Sequence, residues 1–109
     1  MGLKVKKTKL VTVGKVKIGG GKPIVLIAGP CVIESQSHVL NTAEKIKRAA
    51  SDADIPFIFK ASYDKANRSS IDSFRGPGLI KGLQSLETIK QQLNVPVLSD
   101  VHTEEEIEP

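Results

Sequence analysis

Two patterns of hydrophobic and polar positions alternate along this chain, one typical of buried strands and the other typical of amphipathic helices. A continuous apolar run occurs at 23–28, and shorter apolar runs begin the segments 57–60 and 97–100, as expected for strands that are buried on both faces of a parallel sheet. The segments between them carry apolar residues at steps of three and four, which is typical of amphipathic helices. The order strand, helix, strand, helix, strand predicts right-handed crossovers and helices packed outside a parallel sheet.

Local signals mark where these elements begin. Ser35 or Ser37 can cap the first helix, whose predicted buried face consists of Val39, Ala43, Ile46 and Ala50. The second helix follows Gly78, and its apolar stripe is formed by Leu79, Leu83, Leu86 and Leu93, with Ile80 and Ile89 beside it. Thr103 and Glu106 are spaced as a capping box and predict the start of a third helix.

A glycine-centred hairpin precedes the first buried strand. Segments 9–13 and 15–18 alternate in polarity on either side of Gly14, a pattern typical of two antiparallel strands. A doubly wound sheet and a (β/α)8 barrel both begin with the observed order of elements. The first strand lacks a following Gly-x-Gly-x-x-Gly, which weakens the dinucleotide-binding alternative, and the hairpin is compatible with a plug at the bottom of a barrel.

We therefore predict an α/β fold, namely a (β/α)8 TIM barrel with an N-terminal β-hairpin, of which the first three β/α units are present. Residues 1–21 form a basic arm and the hairpin, and residues 22–109 form the three units, the last helix being incomplete. All 109 residues would belong to the N-terminal part of one barrel domain. Closing such a barrel needs roughly twice this length again, so we expect the chain alone to be inactive.

Composition narrows the class of protein. The chain is 39% hydrophobic and 26% charged, which is ordinary for a globular protein. No apolar run has the length of a transmembrane helix or a secretory signal, so we expect a cytoplasmic protein without a membrane partner. Seven of the sixteen basic residues lie in 1–22, which contains no acidic residue. The rest of the chain contains nine basic and twelve acidic residues. This basic arm lacks aromatic stacking residues, and we expect no nucleic-acid partner.

Polar residues follow all three predicted strands of the sheet. Cys31 follows the first, a cationic loop follows the second, and Asp100 and His102 follow the third. The carboxyl ends of parallel strands lie on one face of the fold, so these groups should converge there. The loop carries four cations interleaved with hydroxyl and amide groups, which suits a phosphate or carboxylate ligand; they are Lys60, Lys65, Arg68 and Arg75.

The residues alone leave several alternatives open. The loop is also compatible with a solvated surface segment. Cys31, the single cysteine, is a buried thiol, a reactive thiol or a metal ligand, and composition favours a small buried residue. A structural role for His102 is as well supported as a catalytic one. His38, on the first helix, should be exposed.

Four motifs together resemble the 3-deoxy-D-manno-octulosonate 8-phosphate synthase family: Lys60-Ala-Ser-Tyr-Asp-Lys-Ala-Asn-Arg-Ser-Ser70, Phe74-Arg-Gly-Pro-Gly78, Gly29-Pro-Cys-Val-Ile-Glu-Ser35 and Ser99-Asp-Val-His102. The resemblance extends from about residue 9 to the end of the chain. The related 3-deoxy-D-arabino-heptulosonate 7-phosphate synthases share Gly-Pro-Cys but typically carry a Lys-Pro-Arg-Thr type of motif after the second strand. Tyr63 stands where the octulosonate family is expected to have phenylalanine.

The resemblance implies a homotetrameric enzyme that condenses phosphoenolpyruvate with D-arabinose 5-phosphate and water, towards bacterial lipopolysaccharide. It implies that Lys60, Ser62 and Lys65 bind phosphoenolpyruvate. Asn67, Arg68 and Ser69 would bind arabinose 5-phosphate. Lys60, Asp100 and His102 would act at the reacting carbons.

Cys31 carries a further implication of the resemblance, because metal-independent members of the family have asparagine there. A divalent metal ion is therefore expected, with its other ligands beyond residue 109. Two alternatives to this function remain at the level of sequence. One is the heptulosonate synthase of aromatic amino-acid synthesis, and the other is a non-catalytic module that binds sugar phosphates.

Overall fold

A computed structural model describes residues 8–65 and 75–109 of the chain. Two short strands form an antiparallel hairpin, and three more form a parallel sheet in the order β3-β4-β5. The elements are β1 (Val11–Val13), β2 (Val16–Ile18), β3 (Leu26–Ala28), α1 (Gln36–Asp52), β4 (Phe57–Lys60), α2 (Leu79–Leu93), β5 (Val97–Leu98) and a 3₁₀-helix (Glu104–Glu106). The predicted hairpin and the alternation of strands and helices are confirmed.

The helix α1 begins where the sequence predicts. The Ser35 hydroxyl accepts a hydrogen bond from the His38 backbone N–H at 3.1 Å, which satisfies one of the free amides of the first turn. Val39, Ala43 and Ala50 are buried along one face, and this face packs on the sheet as the spacing of four and seven residues requires.

The apolar face predicted for α2 is largely confirmed, because Leu86 and Ile89 are buried and Leu83 and Leu93 pack against the core. Its buried residues are Gly82, Ser85, Leu86 and Ile89, whereas Ile80 is 72% exposed. Tyr63 accounts for the burial of Gly82, because a Cβ at Gly82 would overlap the Cβ of Tyr63. Small residues on α2 therefore face the segment after β4, and this close approach fixes the rotation of the helix.

The core lies between the two helices and one face of the sheet. Phe57 and Phe59 meet edge to face there, with ring centroids 6.3 Å apart, and Ile89 contributes a fully buried side chain. On the other face, Ile27 is 47% exposed and Leu98 is 43% exposed. The prediction of burial on both faces is thus wrong for β3 and β5, because the described helices cover only one face. The first and third strands are also shorter than predicted.

The hairpin lies at the amino ends of the sheet strands. Its turn residue Gly14 adopts φ +57°, which glycine tolerates, and a Cβ there would lie 3.3 Å from Cγ of Pro96. Pro96 directly precedes β5. A cavity of about 440 Å³ separates this turn from the C-terminal end of α2. The hairpin therefore lies at the end of the sheet opposite to the carboxyl ends of its strands, which is compatible with the sequence interpretation.

The predicted capping box is wrong. The Thr103 side chain makes no capping hydrogen bond, and the Glu106 carboxylate accepts from the Tyr63 hydroxyl instead. The segment consequently forms only one turn of 3₁₀-helix. Within residues 8–65 and 75–109, no helix combines the length and apolarity needed to cross a membrane.

Replacing Gly82 by alanine tests the packing of α2. Alanine is a better helix former than glycine by about 1 kcal/mol, so propensity alone predicts stabilisation. We expect Gly82→Ala to lower the free energy of unfolding by about 1–3 kcal/mol, since overpacking against Tyr63 outweighs propensity. Denaturant unfolding measures the change, and the exposed Gln84→Ala on the same helix serves as the control. A gain in stability for Gly82→Ala would contradict the packing described.

Candidate active site

A cavity of about 280 Å³ opens at the carboxyl ends of the parallel strands. Its lining comes from the segments that follow β3, β4 and β5, as the placement of polar residues in the sequence predicts. The lining residues are Cys31, Lys60, Ser62, Asp64, Lys65, Asp100 and His102. The predicted convergence of three polar segments is confirmed for these residues.

Pairing between the first two segments continues beyond the regular strands. Val32 and Ser62 form a parallel bridge, and the Ile33 backbone N–H donates to the Ser62 carbonyl at 2.9 Å. The segment after β3 approaches the end of β4 so closely at Gly29 that a Cβ on this residue would overlap the Lys60 carbonyl oxygen. Glycine at this position is what allows the Cys31 segment to reach the cavity.

Asp100 occupies the space between two possible cationic partners. Its Oδ1 lies 4.0 Å from Lys60 Nζ, and its Oδ2 lies 3.9 Å from His102 Nε2. The side chains of Lys60 and Asp100 are both more than one-third exposed, so water screens this pair and it adds little to stability. The arrangement therefore leaves Lys60 able to exchange Asp100 for an anionic ligand.

Ser62 forms part of the cavity wall. The residue is only 3% exposed. Its hydroxyl donates a hydrogen bond to the Asp64 carbonyl at 2.6 Å, and the hydroxyl oxygen accepts one from the Asp64 backbone N–H at 3.2 Å. His102 Nε2 lies 3.4 Å away. This predicted substrate-binding residue thus lies in the cavity with its hydroxyl proton already engaged in the turn after β4.

The two ends of the cationic loop meet beside the cavity. The Lys65 backbone N–H donates to the Arg75 carbonyl at 2.6 Å, and the Arg75 guanidinium donates twice to the Asp64 carboxylate, at 2.9 and 3.1 Å. These hydrogen bonds and the Asp64 charge raise the pKa of Arg75. The predicted residues Asn67, Arg68 and Ser69 lie between these ends, outside the described residues.

The local charge balance at the cavity favours an anion. Arg75 offsets the Asp64 carboxylate, which leaves Lys60 and Lys65 facing Asp100 among the described lining residues. Two fixed ammonium groups against one carboxylate attract phosphate or carboxylate oxygens. The described part of the site thus has the charge that the loop sequence predicts.

A family model described as DAHP synthetase I matches residues 3–109. The chain belongs to the DAHP synthetase I family. Curated relatives named 2-dehydro-3-deoxyphosphooctonate aldolase include proteins from Geotalea daltonii, 54% identical over 101 residues, from Desulfosudis oleivorans, 57% identical over 102 residues, and from Geobacter sulfurreducens, 50% identical over 102 residues. These matches cover 93–94% of the chain and 37–38% of each relative.

Tyr63 lies directly behind the cavity wall of this DAHP synthetase I family member, and sequence reasoning did not single it out. The residue is 2% exposed, its hydroxyl donates to Glu106 Oε1 at 2.8 Å, and its ring lies 5.2 Å from the His102 ring at an interplanar angle of 79°. Burial, and then the hydrogen bond and charge of Glu106, raise the pKa of Tyr63 to about 12. The only signal in the sequence was tyrosine in place of the expected phenylalanine.

Cys31 is exposed, which contradicts the interpretation that composition favoured. Its segment shares the cavity with Asp100 and His102. Across 8–65 and 75–109, no group of three or more histidine, cysteine, aspartate or glutamate side chains is arranged to hold a metal ion. One thiolate is not a metal site, so the described residues do not by themselves fit a divalent ion. His38 is exposed on α1 as predicted, and its Nδ1 lies 3.9 Å from the Glu34 carboxylate.

Titration of the single tyrosine tests this part of the site. The chain has one tyrosine and no tryptophan, so tyrosinate absorbance reports on Tyr63 alone. We expect a midpoint near pH 12 in the folded chain and near the ordinary value of about 10 in denaturant. Because the folded-state pKa is raised, the stability that this group contributes is complete below pH 10 and is lost as the pH rises through 12. Equal midpoints in the two states would contradict the burial of Tyr63.

Proposed function

We propose that the chain carries part of the active site of a 3-deoxy-D-manno-octulosonate 8-phosphate synthase, within a (β/α)8 barrel. The observation that carries the proposal is the cavity in which Cys31, Lys60 and His102 meet, together with the specific motif from Lys60 to Ser70. The printed name of the relatives, 2-dehydro-3-deoxyphosphooctonate aldolase, supports the eight-carbon product. Since the chain spans about 37% of their length, the activity is proposed for a complete barrel.

Phosphoenolpyruvate binds through its carboxylate to Lys60 and Lys65 in this proposal. Both ammonium groups line the cavity, and Lys60 lies 4.0 Å from Asp100 Oδ1. A carboxylate that displaces this weak contact forms a shorter, charge-assisted hydrogen bond with Lys60. Ser62 shapes the wall beside it, and its hydroxyl reorients towards the ligand only if the turn to Asp64 opens.

Arabinose 5-phosphate binds to Asn67, Arg68 and Ser69, with Arg68 and Ser69 at the phosphate. An arginine fork matches phosphate geometry with two parallel hydrogen bonds. The meeting of Lys65 and Arg75 places both ends of this segment beside the cavity, and Lys65 contacts both substrates. Holding two like-charged reactants in contact is the main contribution that fixed cations make to such a condensation.

Asp100 and His102 act beside the reacting carbons. In the condensation, C3 of phosphoenolpyruvate forms a bond with the aldehyde carbon of the sugar, water adds at C2, and inorganic phosphate departs. The Asp100 carboxylate and the His102 imidazole, 3.9 Å apart, orient the water or the aldehyde and hold the protons that these steps move. Ser62 Oγ, 3.4 Å from His102 Nε2, restricts the orientation of the imidazole.

A divalent metal ion is a separate part of the proposal. Cys31 would supply one thiolate, and the remaining ligands would come from outside the described residues. A bound divalent ion polarises a carbonyl or positions water. The resemblance also implies a homotetramer, and the sequence composition predicts a cytoplasmic location; both stay predictions.

The heptulosonate synthase is the second candidate, favoured by the DAHP description of the family model. The two activities differ in the sugar phosphate, which is erythrose 4-phosphate for the seven-carbon product. A chimera in which this chain replaces the matching 101 residues of the Geotalea daltonii relative allows a direct comparison. Condensation with arabinose 5-phosphate supports the proposal, and preference for erythrose 4-phosphate supports the second candidate. If neither sugar phosphate leads to release of inorganic phosphate, both candidates are rejected.

Substitution of Arg68 tests the assignment of the sugar-phosphate site in that chimera. We expect Arg68→Ala to raise KM for arabinose 5-phosphate by at least about tenfold, because a lost charged hydrogen bond is worth about 1.5–3 kcal/mol. KM for phosphoenolpyruvate should change by less than about threefold. Steady-state kinetics with each substrate varied measure both values, and Arg48→Ala on the exposed side of α1 is the matched control. Equal increases in the two KM values would reject the assignment.

Substitution of Cys31 tests metal ligation. We expect Cys31→Asn to lower the metal content of the purified chimera, measured by elemental analysis, and to make its activity less sensitive to a chelator. The exposed Glu34→Gln, in the same segment, should leave both unchanged. Metal content that is identical in the Cys31 variant and the parent would show that this thiol is not a ligand.

A further inference from the structure

The Tyr63 side chain is buried, and its hydroxyl group needs a hydrogen-bond partner. Its ring packs beneath α2, where Gly82 provides the space, and a Cβ at Gly76 would approach the Tyr63 carbonyl oxygen to 2.6 Å. A buried phenol hydroxyl must find a hydrogen-bond partner, because water cannot reach it. Tyrosine at this position therefore requires a partner close to its hydroxyl group, whereas phenylalanine would not.

Glu106 is the partner, and it lies 43 residues further along the chain. The Tyr63 hydroxyl donates to Glu106 Oε1 at 2.8 Å, which is the length of a strong hydrogen bond to a carboxylate. Glu106 is held at this point by the short 3₁₀-helix, whose backbone bonds run from Glu106 to Thr103 and from Ile107 to Glu104. The bond thus joins the segment after β4 to the segment after β5.

His102 lies between these two anchored points. The segment after β5 has left the sheet, because the last strand hydrogen bond is from the Ala61 amide to the Leu98 carbonyl. Within the described part of the chain, no main-chain to main-chain hydrogen bond joins residues 99–103 to β4. What faces His102 from the other segments is the Tyr63 ring at 5.2 Å and the Ser62 hydroxyl at 3.4 Å.

Two charges of the segment after β5 act on the Tyr63 hydroxyl, those of Glu106 and Asp100. Burial has the largest effect on the pKa of Tyr63, the hydrogen bond and charge of Glu106 come next, and the Asp100 charge raises this pKa further. The charged or titratable groups that act on the hydroxyl therefore come from one segment, that of Asp100, His102 and Glu106. The Tyr63 hydroxyl thus bonds the turn that follows His102, while the Tyr63 ring lies against the imidazole itself.

We propose that the hydrogen bond between Tyr63 and Glu106 fixes His102 in the cavity wall, which makes both residues positioning residues for this imidazole. The ring of Tyr63 supports one side of His102, and the anchored turn prevents the segment from moving away from β4. The consequence for catalysis rests on the proposed function, whereas the positioning itself does not. Neither residue contacts substrate in this proposal.

Nuclear magnetic resonance of the two histidines provides a test that needs no enzyme activity. The chain contains only His38 and His102, and the exposed His38 is an internal reference. The Tyr63 ring shifts the imidazole C–H resonances of His102. We expect Glu106→Ala and Tyr63→Phe to move the His102 resonances most of the way towards the positions typical of an exposed histidine. The His38 resonances should stay unchanged. Glu106→Gln, which keeps an acceptor oxygen, should retain the parent His102 resonances.

Two controls separate positioning from general destabilisation. The exposed neighbour Glu105→Ala should leave the His102 resonances in place. The double variant Tyr63→Phe/Glu106→Ala should shift them no further than either single change, since the two residues act through one bond. His102 resonances that stay unmoved in folded Glu106→Ala would overturn the proposal, as would equal shifts in Glu105→Ala.

Kinetics in the chimera with the Geotalea daltonii relative distinguish this proposal from the proposed function. We expect Glu106→Ala to lower kcat by about 10- to 100-fold, because small displacements of a catalytic group are costly, while KM for both substrates changes by less than about twofold. Restored kcat in Glu106→Gln would support a positioning role. An inactive parent chimera would reject the proposed function, and the histidine resonances would still decide whether the bond fixes His102. A kcat unchanged in Glu106→Ala of an active chimera would overturn the catalytic role.

Discussion

The continued pairing of the chain beyond β3 and β4 is the constraint on which the site depends. Regular pairing between β3 and β4 ends at Ala28 and Phe59, yet Val32, four residues further on, still bridges to Ser62, three residues further on. Gly29 makes this possible, because any larger residue would collide with the Lys60 carbonyl. Cys31, Lys60 and Ser62 share one cavity as a result, and β5 needs only to add Asp100 and His102.

Features with local causes could be predicted from the sequence. Ser35 caps α1 through an amide three residues away, and the hairpin turns at Gly14, whose positive φ needs no distant contact. The convergence of polar residues also followed from the sequence, since it depends on strand direction alone and not on strand length. The carboxyl ends of parallel strands share a face whether the strands have two residues or six.

Features with distant causes could not be predicted. The burial of Gly82 on α2 was not predicted, because its cause is the close approach of Tyr63, which lies in another segment of the chain. Glu106 looked like the partner of Thr103, three residues away, but it bonds Tyr63 instead. The exposure of Ile27 and Leu98 reflects which face of the sheet the helices cover. In each case the cause lies in the way distant segments of the chain are arranged and not in the local sequence.

The closed base of the cationic loop has a consequence for how such a site diversifies. Lys65 and Arg75 are hydrogen-bonded to each other, and Arg75 is paired with Asp64, so the sheet meets both ends of the intervening nine residues at a single anchored junction. The hydrogen bonds of this junction are made by Asp64, Lys65 and Arg75, so exchanges of side chains between positions 65 and 75 leave these partners in place. What the segment recognises can therefore vary in evolution while the junction that joins it to the sheet is retained.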